Sequence, residues 1–335
     1  MDSKANAEHP PVLCIMGPTG SGKSALALEL AERLPAEIVS VDSAMIYRGM
    51  DIGTDKPSRE IRARIPHHLI DICDPAERYN AARFVTDATA AIAAITARKK
   101  LPILVGGTFL YFRALVHGLS PMPGADQKLR AELQAEAETR GWPALHEELA
   151  RIDPPTAERI APSDTQRLER ALELARLTGE APSRLHTESG RGAAFDFMKI
   201  ALWPEDRTAL GERLAKRFSR MLEQGLLREV EALRERGDLD ESCPAVRAVG
   251  YRQLWHYLDG ACDLTEAERR AVVATRRYAK RQMTWLRGES GIFRVPVGET
   301  AAEAAFAAIR TRFDHAFAGL DRANINGQKR NVSRP

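Results

Sequence analysis

The sequence predicts an α/β fold: a largely parallel sheet flanked by helices, with a mostly helical insertion and a helical C-terminal part. Three observations predict it. Short β-rich runs alternate with helical stretches in the first part of the chain. A glycine-rich turn, "GPTGSGKS", joins the first run to the first helix. After Leu119 the pattern becomes almost wholly helical, until one β-like run returns near Phe195.

The strands come first. "VLCIM" (12–16), "EIVSVD" (37–42), "HLIDI" (68–72) and "PILVGG" (102–107) are short apolar runs bounded by turn residues. Between them, "ALALELAERL" and "AARFVTDATAAIAAITARKK" carry apolar residues at helical period. Strand–helix–strand alternation requires crossovers, hence parallel strands with helices on both faces. Ligands collect outside the carboxyl ends of such strands, and Gly17, Asp42 and Gly106 all fall there.

After the breaker-rich "PMPGAD", residues 127–178 read as mostly helical, and "SDTQRLERALELARLTG" has a Ser163 or Asp164 cap and a Gly179 stop. "FDFMKIALW" (195–203) returns to the sheet, so the helical block is an insertion. The stretch "RTALGERLAKRFSRMLEQGLLREVEALRERG" then gives two helices broken at Gly225. The expected organisation is a core of 11–120 with about 195–310, an insertion over 121–194, and disorder over 1–10 and 320–335, which have little to bury.

Composition narrows the function classes. Of the 335 residues, 44% are hydrophobic and 28% charged, and no apolar run approaches the roughly 18 residues of a membrane helix. The opening "MDSKANAEHPP" lacks the apolar region of a secretory leader, so a cytoplasmic protein with no membrane partner is expected. The four cysteines show no C-x-x-C pairing and read as reduced thiols. A net charge of +3 says little about partners, but 269–287 hold seven basic residues and no acidic one. Arg269, Arg276, Lys280 and Arg287 fall on one helical ridge, with Val272, Ala279, Met283 and Leu286 on an apolar face. Such a ridge suits a polyanion, and a solvated helix face is the plainer alternative.

The turn supplies the most specific chemistry. Gly17, Pro18, Thr19, Gly20, Ser21, Gly22, Lys23 and Ser24 satisfy G-x-x-x-x-G-K-[ST] between a strand and a helix, as in a P-loop NTPase-like sheet. The glycines let backbone N–H groups turn inward around phosphate, and the helix adds its positive end. Lys23 brings a point charge to the outer oxygens, and Ser24 is a ligand for Mg²⁺. A nucleotide hydrolase of this class places an Asp at the end of a later strand. Here "PILVGGT" offers only Gly106, Gly107 and Thr108. The second strand instead delivers Asp42, one strand over, where a carboxylate can take a proton from a nucleophile or support metal-bound water.

Taken in order, "GPTGSGKS", "DSAMIYRGMDIGTDKP", "PHHLID", "YNAARF", "GGTFLYFRAL", "DTQRLERALEL", "RAVGYRQ" and "AKRQMTWLR" closely resemble the bacterial tRNA dimethylallyltransferases, also called tRNA isopentenyltransferases or IPP transferases. The resemblance covers about 12–287. It implies transfer of a five-carbon prenyl group from dimethylallyl diphosphate to the exocyclic amine of the adenine 3′ of the anticodon, in tRNAs reading codons that start with U. It further implies that the loop holds the donor's diphosphate with Mg²⁺, that Asp42 is the base, and that Thr108 orients by hydrogen bonding. Arg130 matches a tRNA-contacting position.

The resemblance also places contacts to the anticodon stem-loop at four stretches. These are Asp42, Ser43, Ala44 and Met45; Gln166, Arg167, Leu168, Glu169 and Arg170; Arg247, Ala248, Val249, Gly250, Tyr251 and Arg252; and Lys280, Arg281, Gln282, Met283, Thr284, Trp285, Leu286 and Arg287. An adenine inside a stacked loop must be turned out to meet the donor, and these contacts offset that cost. The expected enzyme is a monomer. His67 and His68 receive no chemistry. A small-molecule kinase on the same sheet is the alternative, disfavoured by the missing strand-end acid, the basic ridge and the base at Asp42.

Overall fold

The computed structural model describes residues 9–120, 122–185 and 192–317, with the side chains of 314–317 excepted. The expectation of disorder at the termini falls outside these residues, apart from His9 and Pro10. Six strands form one sheet: β1 (Pro11–Met16), β2 (Ala36–Val41), β3 (His67–His68), β4 (Leu101–Gly106), β5 (Asp196–Trp203) and β6 (Ile292–Pro296). Their order is β3-β2-β4-β1-β5-β6, and every neighbouring pair is parallel. The helices of the first unit are α1 (Lys23–Arg33), α2 (Arg59–Arg64), α3 (Ala81–Ala97) and α4 (Phe109–His117). Those of the second are α5 (Gln127–Arg140), α6 (Trp142–Ile152), α7 (Pro154–Arg159), α8 (Thr165–Thr178) and α9 (Pro182–Leu185). The first unit resumes with α10 (Arg207–Glu223), α11 (Leu226–Glu235), α12 (Tyr251–Leu258), α13 (Leu264–Gly288) and α14 (Ala301–Phe317).

Strand alternation decides what covers the sheet. Leu13, Ile15, Ile38, Ile103, Val105 and Ile200 pack with Leu26, Ala27 and Leu30 of α1 and with Ala305 and Ile309 of α14. The intervening residues point to the other face, where α3 lies against β2 and β4 and buries Phe84, Ala88, Ile92 and Ile95. The crossover connections leave the carboxyl ends of β1, β2 and β4 at one edge.

Two differences from the sequence reading have local causes. "HLIDI" contributes only His68 to β3, because Leu69 and Asp71 take left-handed φ of 62° and 58°. β6 was not expected, and it joins the edge beside β5 in a part of the chain read as helical.

Residues 116–193 form the second compact unit. Its helices close on Leu133, Leu145, Leu149, Leu168 and Leu172. Asp164 caps α8 by accepting from the Arg167 amide, and Gly179 ends it at φ 71°.

Candidate active site

The phosphate loop is the link between β1 and α1. Gly20 and Gly22 sit at φ 75° and 87°, which only glycine adopts cheaply and which turns the loop amides inward. Lys23 lies under the loop, its Nζ 3.4 Å from the Pro18 carbonyl. Burial lowers the pKa of this ammonium to about 8, despite the negative charge of Asp42, and Arg217 pushes in the same direction as burial. An anion in the loop would reverse that shift.

Two side chains from the far end of the sequence hold the loop. Gln282 of α13 accepts from the Thr19 amide at 2.8 Å and donates to the Gly107 carbonyl at 2.9 Å. Arg217 of α10 donates to Thr19 Oγ1 at 2.8 Å. Its Nε, 3.4 Å from Asp55, has no hydrogen-bond partner although it is buried, and neither has Ser21 Oγ in the loop itself. Buried donors without partners are rare, and of these two Arg217 lines both cavities beside the loop.

Asp42 follows the last residue of β2, and β4 stands between it and β1. Asp42 Oδ1 accepts from the amides of Ala44 (2.8 Å) and Met45 (3.3 Å), which fixes the carboxylate and leaves Oδ2 without a partner among the described residues. The absence of an acid after β4 has a steric cause. A Cβ at Gly106 would lie 1.9 Å from the Val41 carbonyl oxygen, and one at Gly107 would lie 2.1 Å from Gln282 Nε2. Thr108 Oγ1 accepts from the Ser43 amide at 3.1 Å, so this hydroxyl holds the turn after Asp42.

Two cavities of about 330 and 340 Å³ open at this crest. One runs along the phosphate loop, Lys23 and Ser24, and continues past apolar Leu28, Ile38, Met45, Ile70 and Val105. The other is lined by Ser43, Ala44, Phe218, Arg247, Ala248, Val249, Thr275 and Arg281. Thr19, Asp42, Thr54, Arg217 and Tyr278 line both. Burial and the charge of Asp42 push the Tyr278 phenol up to about 12, so it stays a neutral donor, directed at the Gly107 carbonyl. The arrangement is a phosphate grip and an apolar slot on one side, a chamber of mixed walls carrying Arg217, Arg247 and Arg281 on the other, and a carboxylate where they meet.

The expected RNA contacts divide sharply. Ser43, Ala44, Arg247, Ala248, Val249 and Arg281 line the second cavity. Lys280, Thr284, Trp285, Arg287, Arg252, Gln166 and Arg167 are exposed. Leu168, Tyr251, Gln282, Met283 and Leu286 are buried, although Tyr251 lines the second cavity and Gln282 the first. Leu168 belongs to the insertion's core, Gln282 is spent on the phosphate loop, and Tyr251 donates to Glu229. Gly250, also buried, turns at φ 95° into α12. In the second unit, Arg130 and Arg170 both pair with Glu173, whose carboxylate is 0% exposed. Glu169 there accepts from Gln134.

The basic ridge of α13 is likewise divided. Arg269 is paired with Glu266, and Arg276 donates to the Gly211 carbonyl. Lys280 and Arg281 have no carboxylate partner among the described residues.

Arg217, Glu229 and Tyr278 were not assigned to the site from sequence, and His67, given no chemistry, lines the loop cavity. Arg217 carries no local signal beyond lying on an amphipathic helix. Its role depends on a contact with Thr19 across 198 positions of sequence. The aromatic motifs are structural: Phe84 and Tyr111 stack at 4.5 Å behind the site, and Tyr79 donates to Asp87.

Comparison with known proteins bears on this geometry directly. The family model described as IPP transferase matches residues 45–289. A tRNA dimethylallyltransferase from Halorhodospira halophila is 62% identical over 84% of this chain and 91% of its own length. Another, from Thioalkalivibrio sulfidiphilus, is 53% identical over 92% and 97%. Among solved structures, the tRNA isopentenylpyrophosphate transferase of Bacillus halodurans superposes with a TM-score of 0.67 at 37% identity, covering 93% of this chain and 97% of that one. A eukaryotic dimethylallyltransferase acting on tRNA gives 0.75 at 28% identity, covering 91% and 80%. The chain belongs to the IPP transferase family.

Proposed function

We propose that this protein transfers the dimethylallyl group of dimethylallyl diphosphate to the exocyclic amine of the adenosine immediately 3′ of the anticodon, in tRNAs reading codons that start with U. The observation that carries the reading is the meeting of two cavities at Asp42, one with a phosphate loop leading into apolar walls, the other with mixed walls and three arginines.

The donor's diphosphate occupies the loop, among its amides and Lys23. Its allylic C–O bond breaks with the electron pair leaving on the diphosphate oxygen, where preorganised positive charge receives it. The adenine amine forms the new N–C bond, and its proton passes to Asp42 Oδ2, the oxygen left open by the turn. Tyr278 and the Thr108–Ser43 contact keep that turn in register. The donor set suits Mg²⁺ brought with the substrate. Ser24 Oγ would hold it, phosphate and water would complete the shell, and no cluster of three acidic, histidine or cysteine ligands exists among the described residues to demand more. Mg²⁺ bound there supplies further neutralisation of the leaving group.

The anticodon stem-loop engages the exposed cations Lys280, Arg281 and Arg287, the Arg247 and Arg252 edge, and Gln166 and Arg167 of the helical unit. Trp285, 36% exposed and flanked by Phe109 and Arg113, offers a stacking face to an unpaired base. The kinase alternative has no support in the family, and β4 ends in glycines where its metal-organising acid would stand.

Incubation with unmodified tRNA and dimethylallyl diphosphate, followed by nucleoside mass analysis, is expected to yield prenylated adenosine. Transfer of the terminal phosphate of labelled ATP to an acceptor, with no prenylated nucleoside, would overturn the reading.

A further inference from the structure

Glu229 of α11 stands outside every stretch to which the resemblance gives a function, yet it makes more polar contacts than any catalytic candidate. Its Oε2 accepts from the amides of Asp51 and Ile52, each at 2.8 Å. Its Oε1 accepts from the Gly53 amide at 3.1 Å and from the Tyr251 hydroxyl at 2.5 Å. Three consecutive amides converging on one carboxylate form a nest for an anion, and here the anion is a side chain of the protein. The fit is close: a Cβ at Gly53 would lie 2.6 Å from the Tyr251 ring. A second anchor follows on the same loop. The buried Lys56 ammonium donates to the Tyr47 carbonyl and to Asp51 and Asp71 at 2.6–2.7 Å.

Between the two anchors lie Thr54, which lines both cavities, and Asp55, which lines the loop cavity. Asp55 is held at φ 60°, uncommon for a residue with a side chain, and its carboxylate faces Arg217 Nε. Arg217 in turn grips Thr19. A continuous set of contacts therefore runs from α11 to the phosphate loop.

We propose that Glu229 is a positioning residue for the donor's diphosphate. By taking the Asp51, Ile52 and Gly53 amides it sets Asp55 against Arg217, and so fixes the guanidinium beside the phosphate loop. The proposal rests on the loop being the diphosphate site, as the functional reading holds.

The test is Glu229→Gln in the full chain, with inorganic diphosphate as the calorimetric probe and the KM for dimethylallyl diphosphate measured separately from kcat. The amide turns a donor toward backbone donors. Diphosphate affinity is expected to fall about tenfold and the donor KM to rise equally, with kcat at saturation within about threefold of wild type. Asp55→Asn is expected to give the same pattern, and the double variant no more than the larger single effect, because both act through Arg217. Tyr251→Phe, which keeps the carboxylate, is expected to shift diphosphate affinity less and in the same direction, and it serves if Glu229→Gln does not fold.

Additive effects of the two substitutions overturn the proposal, as does a lowered melting temperature with unchanged diphosphate affinity. Wild-type protein that binds no diphosphate overturns it too. Wild-type protein that binds diphosphate through Glu229 but prenylates no tRNA supports the proposal and removes the functional reading alone.

Discussion

Glu37 and Asp42 stand at the two ends of one strand, and they have been put to opposite uses. Glu37, 3% exposed, accepts from Arg98 through two nitrogens, from Lys100, and shares a hydrogen bond with His68. Burial alone would raise its pKa, but these partners overcome that and hold it down at about 2. Asp42 has one oxygen tied to two backbone amides and the other open to a cavity wall. The difference teaches how to tell a carboxylate that binds structure together from one that can accept a proton. Saturation removes basic capacity, whereas a fixed carboxylate with one unpartnered oxygen keeps it. Glu173 of the helical unit repeats the saturated pattern with Arg130 and Arg170.

The contrast breaks most directly at Asp42. Asp42→Asn is expected to lower kcat about 10²- to 10⁴-fold while tRNA and donor affinities move only a few-fold, as single-turnover and binding measurements would show. Glu37→Gln should do the reverse, lowering stability by about 3 kcal/mol in denaturant titrations and sparing kcat. Its contribution has a defined pH window. With the folded pKa near 2 and an ordinary value of 4.5, that stability is full above about pH 4.5 and is lost between there and pH 2. Acid unfolding of Glu37→Gln should lack this component.

Next in size is Lys23→Ala, for which a loss of about 10²- to 10³-fold in kcat/KM for the donor is expected, with tRNA affinity largely retained. The ammonium also makes donor binding pH-dependent. Since its pKa in the free protein is about 8 and the diphosphate favours its charged form, binding takes up a proton above that pH. Donor KM should rise as pH passes through 8, by at most about tenfold per unit. In the absence of ligand the pH slope has the same sign as that of Glu37, but for Lys23 it reflects a burial penalty relieved as the ammonium deprotonates. The unfolded chain binds the extra proton between about 8 and 10.5, so the Lys23 contribution makes stability rise with pH across that window.

The smallest effects sharpen the same distinction among cations. Lys280→Ala or Arg281→Ala should weaken tRNA binding several-fold and reduce the salt slope by about one each. Arg269→Ala, whose partner Glu266 already neutralises it, should barely change the slope. Equal slopes for all three variants would show that pairing within α13 does not govern RNA affinity.

Much of this was legible in sequence because it is local. The phosphate loop, the Asp164 and Gly179 ends of α8 and the Gly225 break are each fixed by a few adjacent residues whose conformational preferences are strong. Asp42 was legible as a polar residue closing an apolar strand. What could not be read depends on partners distant in the chain. "HLIDI" has strand composition, but Lys56 and Arg62 capture Asp71 and turn the chain away. The α13 ridge has the right spacing, yet spacing does not reveal that Glu266 and the Gly211 carbonyl occupy two of its members. Gln282 looked like one more polar residue in a basic stretch until its amide was found fastened to the Thr19 backbone.

The twin glycines after β4 carry a consequence for the phosphate loop. Any side chain at Gly106 would require β2 and β4 to part, and one at Gly107 would displace the glutamine that anchors the phosphate loop. An acid at either glycine would therefore need the neighbouring strand or the glutamine to shift. The crest is thus wired to the phosphate grip: a change after β4 is felt at the loop through the one glutamine that touches both.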